Sequence, residues 1–441
     1  MSNQLLKLET LPRGDDYLVR VYDSNITKEL FQIQKRIYKA SLKEEHGRLK
    51  YLQKKLLSSR AVYSVASTHT QQKHKYGFYD KESHGELLTQ KIKQLLVYWA
   101  LEPEWRTRLK NNSSIIGQKE NIQETFQSIY NVLGDKEPKY ILHSNLAEYC
   151  REISIEVILQ KLNTTPKLEN QIRYWLKNDL VFSSSSLSIE SMYKLENPLS
   201  TLLINIILED LKKAIIVWLQ KQNHTLITSE DRIQFIQYRD QMIAVHPEKE
   251  VLQNINIFLS QWFNQSSITL KNIDEKITFS KAGFNFLGFT CIHLQKNRHL
   301  KPYIFPSKES QIQLLKTVRS IIQELKGSSS YSLITRLVPK LRLWGNYFSV
   351  GQYSEIFSKM DYLIFQKIRA WVFRHHCQYA NKNYFKEKFF PLNCTWEFEG
   401  RLYKDNWILI GEKKIGKKTY TANMIKLSWF KTEKLYQKIK Y

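Results

Sequence analysis

From Pro306 onward the apolar residues of this chain recur at the spacing of one helix face, which restricts much of the last third to a bundle of helices. Ile312, Leu315, Val318, Ile322 and Leu325 keep the rhythm, opened by a start signal at Pro306-Ser307 with Glu309 in the first turn and closed at Gly327. Pro339, whose missing N–H costs nothing in a first turn, is expected to lead a second helix with Leu341, Trp344 and Phe348 on one face. Phe357, Met360, Ile364, Ile368 and Trp371 continue the pattern in a third. No repeat of roughly 20 to 50 residues accompanies them.

Upstream the pattern changes. Ile33, Ile37, Leu49, Leu52, Leu56 and Leu57 predict two basic amphipathic helices between Phe31 and Ser59. YILHSNLAEYC (140–150) alternates like a strand, while ISIEVILQKL (153–162) and PLSTLLINIILEDLKKAIIVWLQ (198–220) read as helices. FIQYRDQMIAV (235–245) reads as two apolar strands around the polar break Tyr238-Arg239-Asp240-Gln241. Alone, such a hairpin is an ordinary turn; the order strand, helix, helix, hairpin is that of a polymerase palm. VFSSSSLSIES (181–191) resembles a linker, and GFNFLGFTCIHL (283–294) a glycine-punctuated strand.

At 441 residues, two or more packed units are expected. The formal charge of +25 calls for a polyanionic partner, because so large an excess repels itself. It is unevenly placed: residues 301–441 hold 26 Lys+Arg against 10 Asp+Glu, a net +16, and the first 300 residues only +9. Five of the ten tryptophans (Trp344, Trp371, Trp396, Trp407 and Trp429) lie in that basic third, where aromatic rings suit single-stranded or irregular RNA, although each ring singly reads as core. No apolar run approaches ~18 residues, which excludes a spanning helix. Cys150, Cys291, Cys377 and Cys394 are too scattered for a zinc module or a disulfide framework. The acidic opening MSNQLLKLETLPRGDDYLVRVYDSN is unlike a signal or transit peptide. Plentiful Lys, Ile, Asn, Phe and Tyr with few Gly and Pro suggest an AT-rich genome, hence an organelle-encoded protein.

From about Arg36 to about Phe398 the chain resembles group II intron maturases, the reverse-transcriptase-like proteins encoded within self-splicing introns. RLKYLQKKLLSSRAVYSVAS (48–67) looks like the start of the family's fingers, and LEPEWRTRL (101–109) like the lead into its nucleotide-contacting loop. PLSTLLIN (198–205) is similar to the start of the palm helix and EKITFSKAGFNFLGF (275–289) to the close of the palm. LVPKLRLWGNYF (337–348) with FSKMDYLIFQKIRAWVFRHH (357–376) looks like the RNA-binding thumb called domain X.

The resemblance implies an α+β fold: reverse-transcriptase-like fingers and palm, an α-helical thumb and a basic C-terminal extension. The implied boundaries are 1–110 for basic helices and fingers-like region, 111–300 for a degenerate palm, 301–390 for the thumb and 391–441 for a basic aromatic tail. Active members run a two-metal displacement on three aspartates. Here those positions fall on Asn145, Asp240 and Gln241, so the hairpin looks like a polymerase relic with no catalytic residue and no metal ligand. The family's Gly-Phe-Arg loop is replaced by NNSSIIGQKEN (111–121), and its Gln-Gly pair by Leu195 and Glu196. The His375-His376 pair lacks neighbouring ligands, and no Cys pairs of a DNA endonuclease follow Trp396.

What the resemblance then implies is a non-enzymatic splicing factor whose partner is group II intron RNA or its pre-mRNA, with no membrane and no small-molecule substrate; the alternatives are an active intron-encoded reverse transcriptase and a non-splicing RNA-binding protein on the same fold. No cofactor is expected, Mg²⁺ being held by the intron RNA. The expected location is the plastid stroma, with the mitochondrion second. The expected RNA contacts are Lys308, Lys316, Arg319, Arg336, Lys340, Arg342, Asn346, Tyr347, Arg369, Arg374 and His375. Leu341, Trp344 and Phe348 turn inward, leaving Lys340 and Arg342 to reach phosphate.

Overall fold

The computed structural model describes residues 24–75, 85–110, 116–118, 121–134, 137–146, 153–182, 198–222, 233–265, 277–296, 299–376 and 387–430. It is an α+β fold. The two helices expected between Phe31 and Ser59 are α1 (Ser24–Leu42) and α2 (His46–Ser58). Their buried stripe of Ile33, Ile37, Leu49, Leu52 and Leu56 is completed by α3 (Arg60–Lys75) and α4 (Gly85–Lys110), which add Val62, Ala66, Leu96 and Trp99. Pro103 sits inside α4 and cannot donate to the Trp99 carbonyl one turn back. Gln34 Nε2 donates to that carbonyl instead, at 3.2 Å.

A five-stranded sheet follows, built from β1 (Ile116–Gln118), β2 (Tyr140–Asn145), β3 (Gln234–Tyr238), β4 (Gln241–His246) and β5 (Ile277–Phe279). Its order is β1-β3-β4-β2-β5, with β1 parallel to β3 and the other pairs antiparallel. Side chains alternate between faces along a strand. Leu142, Phe235, Met242 and Ala244 accordingly enter a core with α6 (Ile155–Leu162), α7 (Pro166–Lys177), α8 (Pro198–Gln222) and α9 (Lys249–Gln265). Ile141, Ile236, Ile243 and Val245 enter another, shared with α5 (Ile122–Leu133) and the C-terminal third. Sequence periodicity finds α6 and α8; α7 and α9 it does not single out. Most of the linker-like stretch lies outside the described residues.

The stretch GFNFLGFTCIHL folds back on itself rather than running as one strand. β6 (Phe284–Phe286) and β7 (Phe289–Lys296) join through Leu287 at φ 50° and Gly288 at φ 77°, a two-residue loop whose left-handed backbone matches strand twist. β8 (His299–Pro306) pairs with β7, and helix begins at α10 (Lys308–Glu324), capped where Ser307 Oγ accepts from Ser310 N at 3.2 Å. Its apolar face is turned relative to the expected one: Ser310, Leu314, Val318 and Ile321 are buried, Leu315, Ile322 and Leu325 are only partly so, and Ile312 is 52% exposed. α11 (Ser330–Phe348) starts nine residues before Pro339, under a Ser329 cap, so this proline is interior and not in a first turn. α12 (Ser354–His376) follows.

The segment after 390 was expected as a tail, but 395–430 pack with the helices. β9 (Thr395–Phe398), β10 (Arg401–Lys404), β11 (Ile410–Ile415), β12 (Lys418–Asn423) and a 3₁₀ turn, Leu427–Trp429, contribute Phe398, Leu409, Leu427, Trp429 and Phe430 to the core that holds Leu341, Trp344 and Phe357. The Asp361 carboxylate on α12 accepts from Leu427 N at 2.7 Å and Ser428 N at 3.0 Å, capping the 3₁₀ turn. Gly345 on α11 lets the Phe430 ring lie against the helix backbone, where any Cβ would overlap it.

That contact sets a measurable contrast. Gly345→Ala gains helix propensity of at most ~1 kcal/mol but must displace a buried ring, an overpacking cost of ~1–3 kcal/mol. It is expected to lower the urea midpoint, whereas Gly47→Ala on α2, where a Cβ meets nothing within 4 Å, is expected to hold or raise it.

Candidate nucleic-acid interface

Two places concern function: the end of the central sheet and the basic faces of the helices. At the sheet end the β2/β4 register sets Asn145 directly opposite Gln241, and β3 and β4 are joined by the two-residue loop Arg239-Asp240. The three positions singled out in the sequence, Asn145, Asp240 and Gln241, thus come together. Arg239 takes φ 55°, as a two-residue hairpin loop requires of its first residue. The Asp240 carbonyl accepts from Leu146 N at 2.7 Å, which ties the loop to the end of β2. His143 Nε2 lies 2.7 Å from Gln241 Oε1 and donates to it, and its ring meets Phe286 edge-on at 5.5 Å.

Asp240 is half-buried, and burial pushes its carboxyl above the usual carboxylate range. A backbone hydrogen bond, the Gln241 side chain and the charges of Arg239 and His143 oppose that rise without cancelling it. The donors here are one carboxylate, two amides and an imidazole. Among the described residues, no group of three or more His, Cys, Asp or Glu side chains is placed to hold a metal ion. Of 111–121 only Ile116–Gln118 and Asn121 are described, Asn121 as the cap of α5 accepting from Glu124 N at 2.7 Å. Leu195 and Glu196 lie outside the described residues.

On α10, Lys308, Lys316 and Arg319 are exposed on one face together with Ile312. On α12, Arg369 and Arg374 are exposed, Arg369 with its guanidinium 5.6 Å from the Phe373 ring. The same helix exposes Lys359 and Tyr362, which sequence reading passed over although they fall between the inward positions Phe357, Met360 and Ile364. Arg336 is exposed but ion-paired with Glu324 at 3.0 Å, and Asn346 is exposed on α11. The side chain of His375 lies outside the described residues.

Three expected contacts differ in the structure. Arg342 does not project freely: its guanidinium lies 5.0 Å from the Phe398 ring, and burial lowers its pKa. Tyr347 directs its hydroxyl inward, donating to the Leu287 carbonyl at 3.0 Å, with its ring 5.6 Å from Phe289. Lys340 is half-buried and lies about 160° around the helix from Arg342, at 100° per residue, so one flat RNA surface cannot meet both. Trp344, with Leu341 and Phe348, is fully buried as the periodicity predicts. Trp371 and Trp429 are buried too, while Trp396 donates its Nε1–H to the Asp405 carbonyl at 2.7 Å and Trp407 stays 38% exposed.

Residues 312–390, which take in most of α10 and all of α11 and α12, match the family model described as the group II intron, maturase-specific domain. The chain therefore carries a maturase domain X, in agreement with the likeness to group II intron maturases drawn from its motifs. No curated protein matches it. Among solved structures it is similar to telomerase from Candida albicans in complex with a fragment of telomeric RNA, at 14% identity and a TM-score of 0.31 over 69% of this chain and 57% of that one. This chain thus spans less than two thirds of that protein's length.

The Asp240 environment makes stability depend on pH with a definite sign. Because the folded carboxyl holds its proton more strongly than the unfolded one, stability is lost as pH rises from the ordinary carboxylate range through the raised value. Asp240→Asn removes that loss. The variant is expected to melt above the wild type at neutral and alkaline pH, with the two curves converging in acid.

Proposed function

We propose that this chain is a group II intron maturase-like RNA-binding protein that assists splicing by stabilising the folded ribozyme core of its intron, without reverse transcriptase activity. The observation that carries the reading is the maturase-specific match over 312–390, where the described helices present Lys316, Arg319, Lys359, Arg369 and Arg374 to solvent. On this reading α1–α4 correspond to fingers, the five-stranded sheet with α5–α9 to the palm, and α10–α12 to the thumb. The partner is intron RNA or its pre-mRNA, and the location the plastid stroma. No described helix is long and apolar enough to cross a membrane.

In this proposal the transesterifications belong to the RNA and its Mg²⁺ ions. Two divalent cations beside a triphosphate require several anionic oxygen ligands. Asn145, Asp240 and Gln241 supply one carboxylate and two neutral amides. That donor set does not fit a two-metal polymerase centre. The protein's share is electrostatic: lysines and arginines replace the counterions that a folded RNA otherwise condenses.

Crosslinking the protein to RNA in its native organelle is expected to place reads on group II introns; reads confined to other transcripts would refute the splicing role. With primer, template and Mg²⁺ the purified protein is expected to make no cDNA above a blank, and Asn145→Asp with Gln241→Asp is expected not to restore synthesis. Robust synthesis by the wild type would favour an active reverse transcriptase instead. The helix faces give a second check. Lys316→Ala with Arg319→Ala should shrink the slope of log K against log salt by roughly 1.4 to 1.8. Arg342→Ala should leave the slope unchanged and lower the melting temperature, because it removes packing on Phe398.

A further inference from the structure

The hairpin of β11 and β12 is fixed at its base and free at its tip. At the base, Gly411 lies so close to the Tyr331 backbone that no side chain fits between them, and Met424 N donates to the Leu409 carbonyl at 2.9 Å. From Glu412 to Thr421 every residue is exposed, on both faces of the ribbon. The register pairs Ile415 with Lys418 and closes the tip on Gly416, at φ 61°, and Lys417. Lys413, Lys414, Lys417 and Lys418 crowd this end with Glu412 as the one nearby acid. Among the described residues none of the four makes an ion pair.

A two-stranded ribbon with water on both faces has little to hold it, and four neighbouring ammonium groups repel one another. Such an arm gains from a polyanion laid against it. Its chemistry narrows the choice. Lysine is a compact point charge suited to phosphate, and the deep, narrow major groove of an RNA helix keeps side chains from its base edges. Single-stranded RNA is held by successive stacked rings, and the exposed part of the arm carries one aromatic side chain, Tyr420, 38% exposed. Double-helical RNA is met through its shape and backbone. We propose that the β11–β12 arm is a sequence-independent clamp on the phosphate backbone of an RNA helix, separate from the basic faces of α10 and α12. The proposal rests on the RNA-binding reading above and adds to it a contact beyond the matched domain.

The test uses the full chain with Lys413, Lys414, Lys417 and Lys418 all changed to Gln, and a second variant with all four changed to Arg. The probe is an RNA duplex of about 20 base pairs, long enough for a double-strand reader, titrated at several salt concentrations. Binding to phosphatidylserine vesicles is measured alongside. The Gln variant should melt with the wild type and lose about 2.8 to 3.6 units of salt slope, and the Arg variant should keep the wild-type slope. If the wild type binds the duplex and the Gln variant shows the same slope, the arm is not a clamp and the RNA-binding reading stands. Vesicle binding lost in the Gln variant with RNA binding intact would overturn the proposal in favour of a membrane surface. Absence of RNA binding by the wild type would overturn the function and the arm together.

Discussion

The antiparallel pairing of β2 with β4 is the contact on which the rest of the structure depends, because the two strands alternate between different cores. Ile141, Ile243 and Val245 face the core shared with the C-terminal third, and Leu142, Met242 and Ala244 face the core under α6 to α9. A slip of one residue would exchange both sets and break both cores at once. The same register holds Asn145 against Gln241 and His143 within reach of the Gln241 amide.

The join between the sheet and the C-terminal third is polar as well as apolar. Phe126 meets Phe289 at 4.2 Å, while His293 on β7 spans Ser280 and the end of α5. Its Nε2–H donates to the Gly134 carbonyl at 3.0 Å, leaving Nδ1 to accept from Ser280 Oγ at 2.8 Å; that hydroxyl in turn accepts from Lys139 N at 2.9 Å. Every buried atom of this short network has a partner, so it specifies position without leaving a desolvated group unpaired. The helices that carry exposed cations are thereby set against the sheet.

The stretch 395–430 closes the helical unit by a similar mixture. Asp361 caps the 3₁₀ turn, and Asp405 accepts from Lys426 Nζ at 2.8 Å and from the Trp429 indole. Tyr403 stacks on Trp429 at 5.2 Å and donates to its carbonyl at 2.8 Å. These contacts turn a basic, aromatic stretch into part of the core. They also divide its charge: Lys426 is paired inward, whereas the lysines of the β11–β12 tip stay in water.

By itself the sequence determined the classes of element and their order. Alternation marks β2, and apolar spacing marks α1, α2, α6, α8 and α12, because each needs only its own residues to form a buried stripe. The resemblance to the maturases singled out Asn145, Asp240 and Gln241, and the pairing of β2 with β4, distant in sequence, is what brings them together. Tertiary structure alone decided which way amphipathic side chains point. Arg342 and Tyr347 have charged or polar ends and apolar bodies, and whether the body or the end wins depends on Phe398 and Leu287, which are distant in sequence. The face of α10 was misplaced for a like reason: two adjacent stripes fit the same helical period, and contact with the rest of the bundle selects Leu314 and Ile321 over Ile312. The C-terminal stretch looked like a tail because its strands are short and basic. The sites that receive it, Gly345 and Asp361, lie on helices earlier in the chain, and no pattern within the stretch announces them.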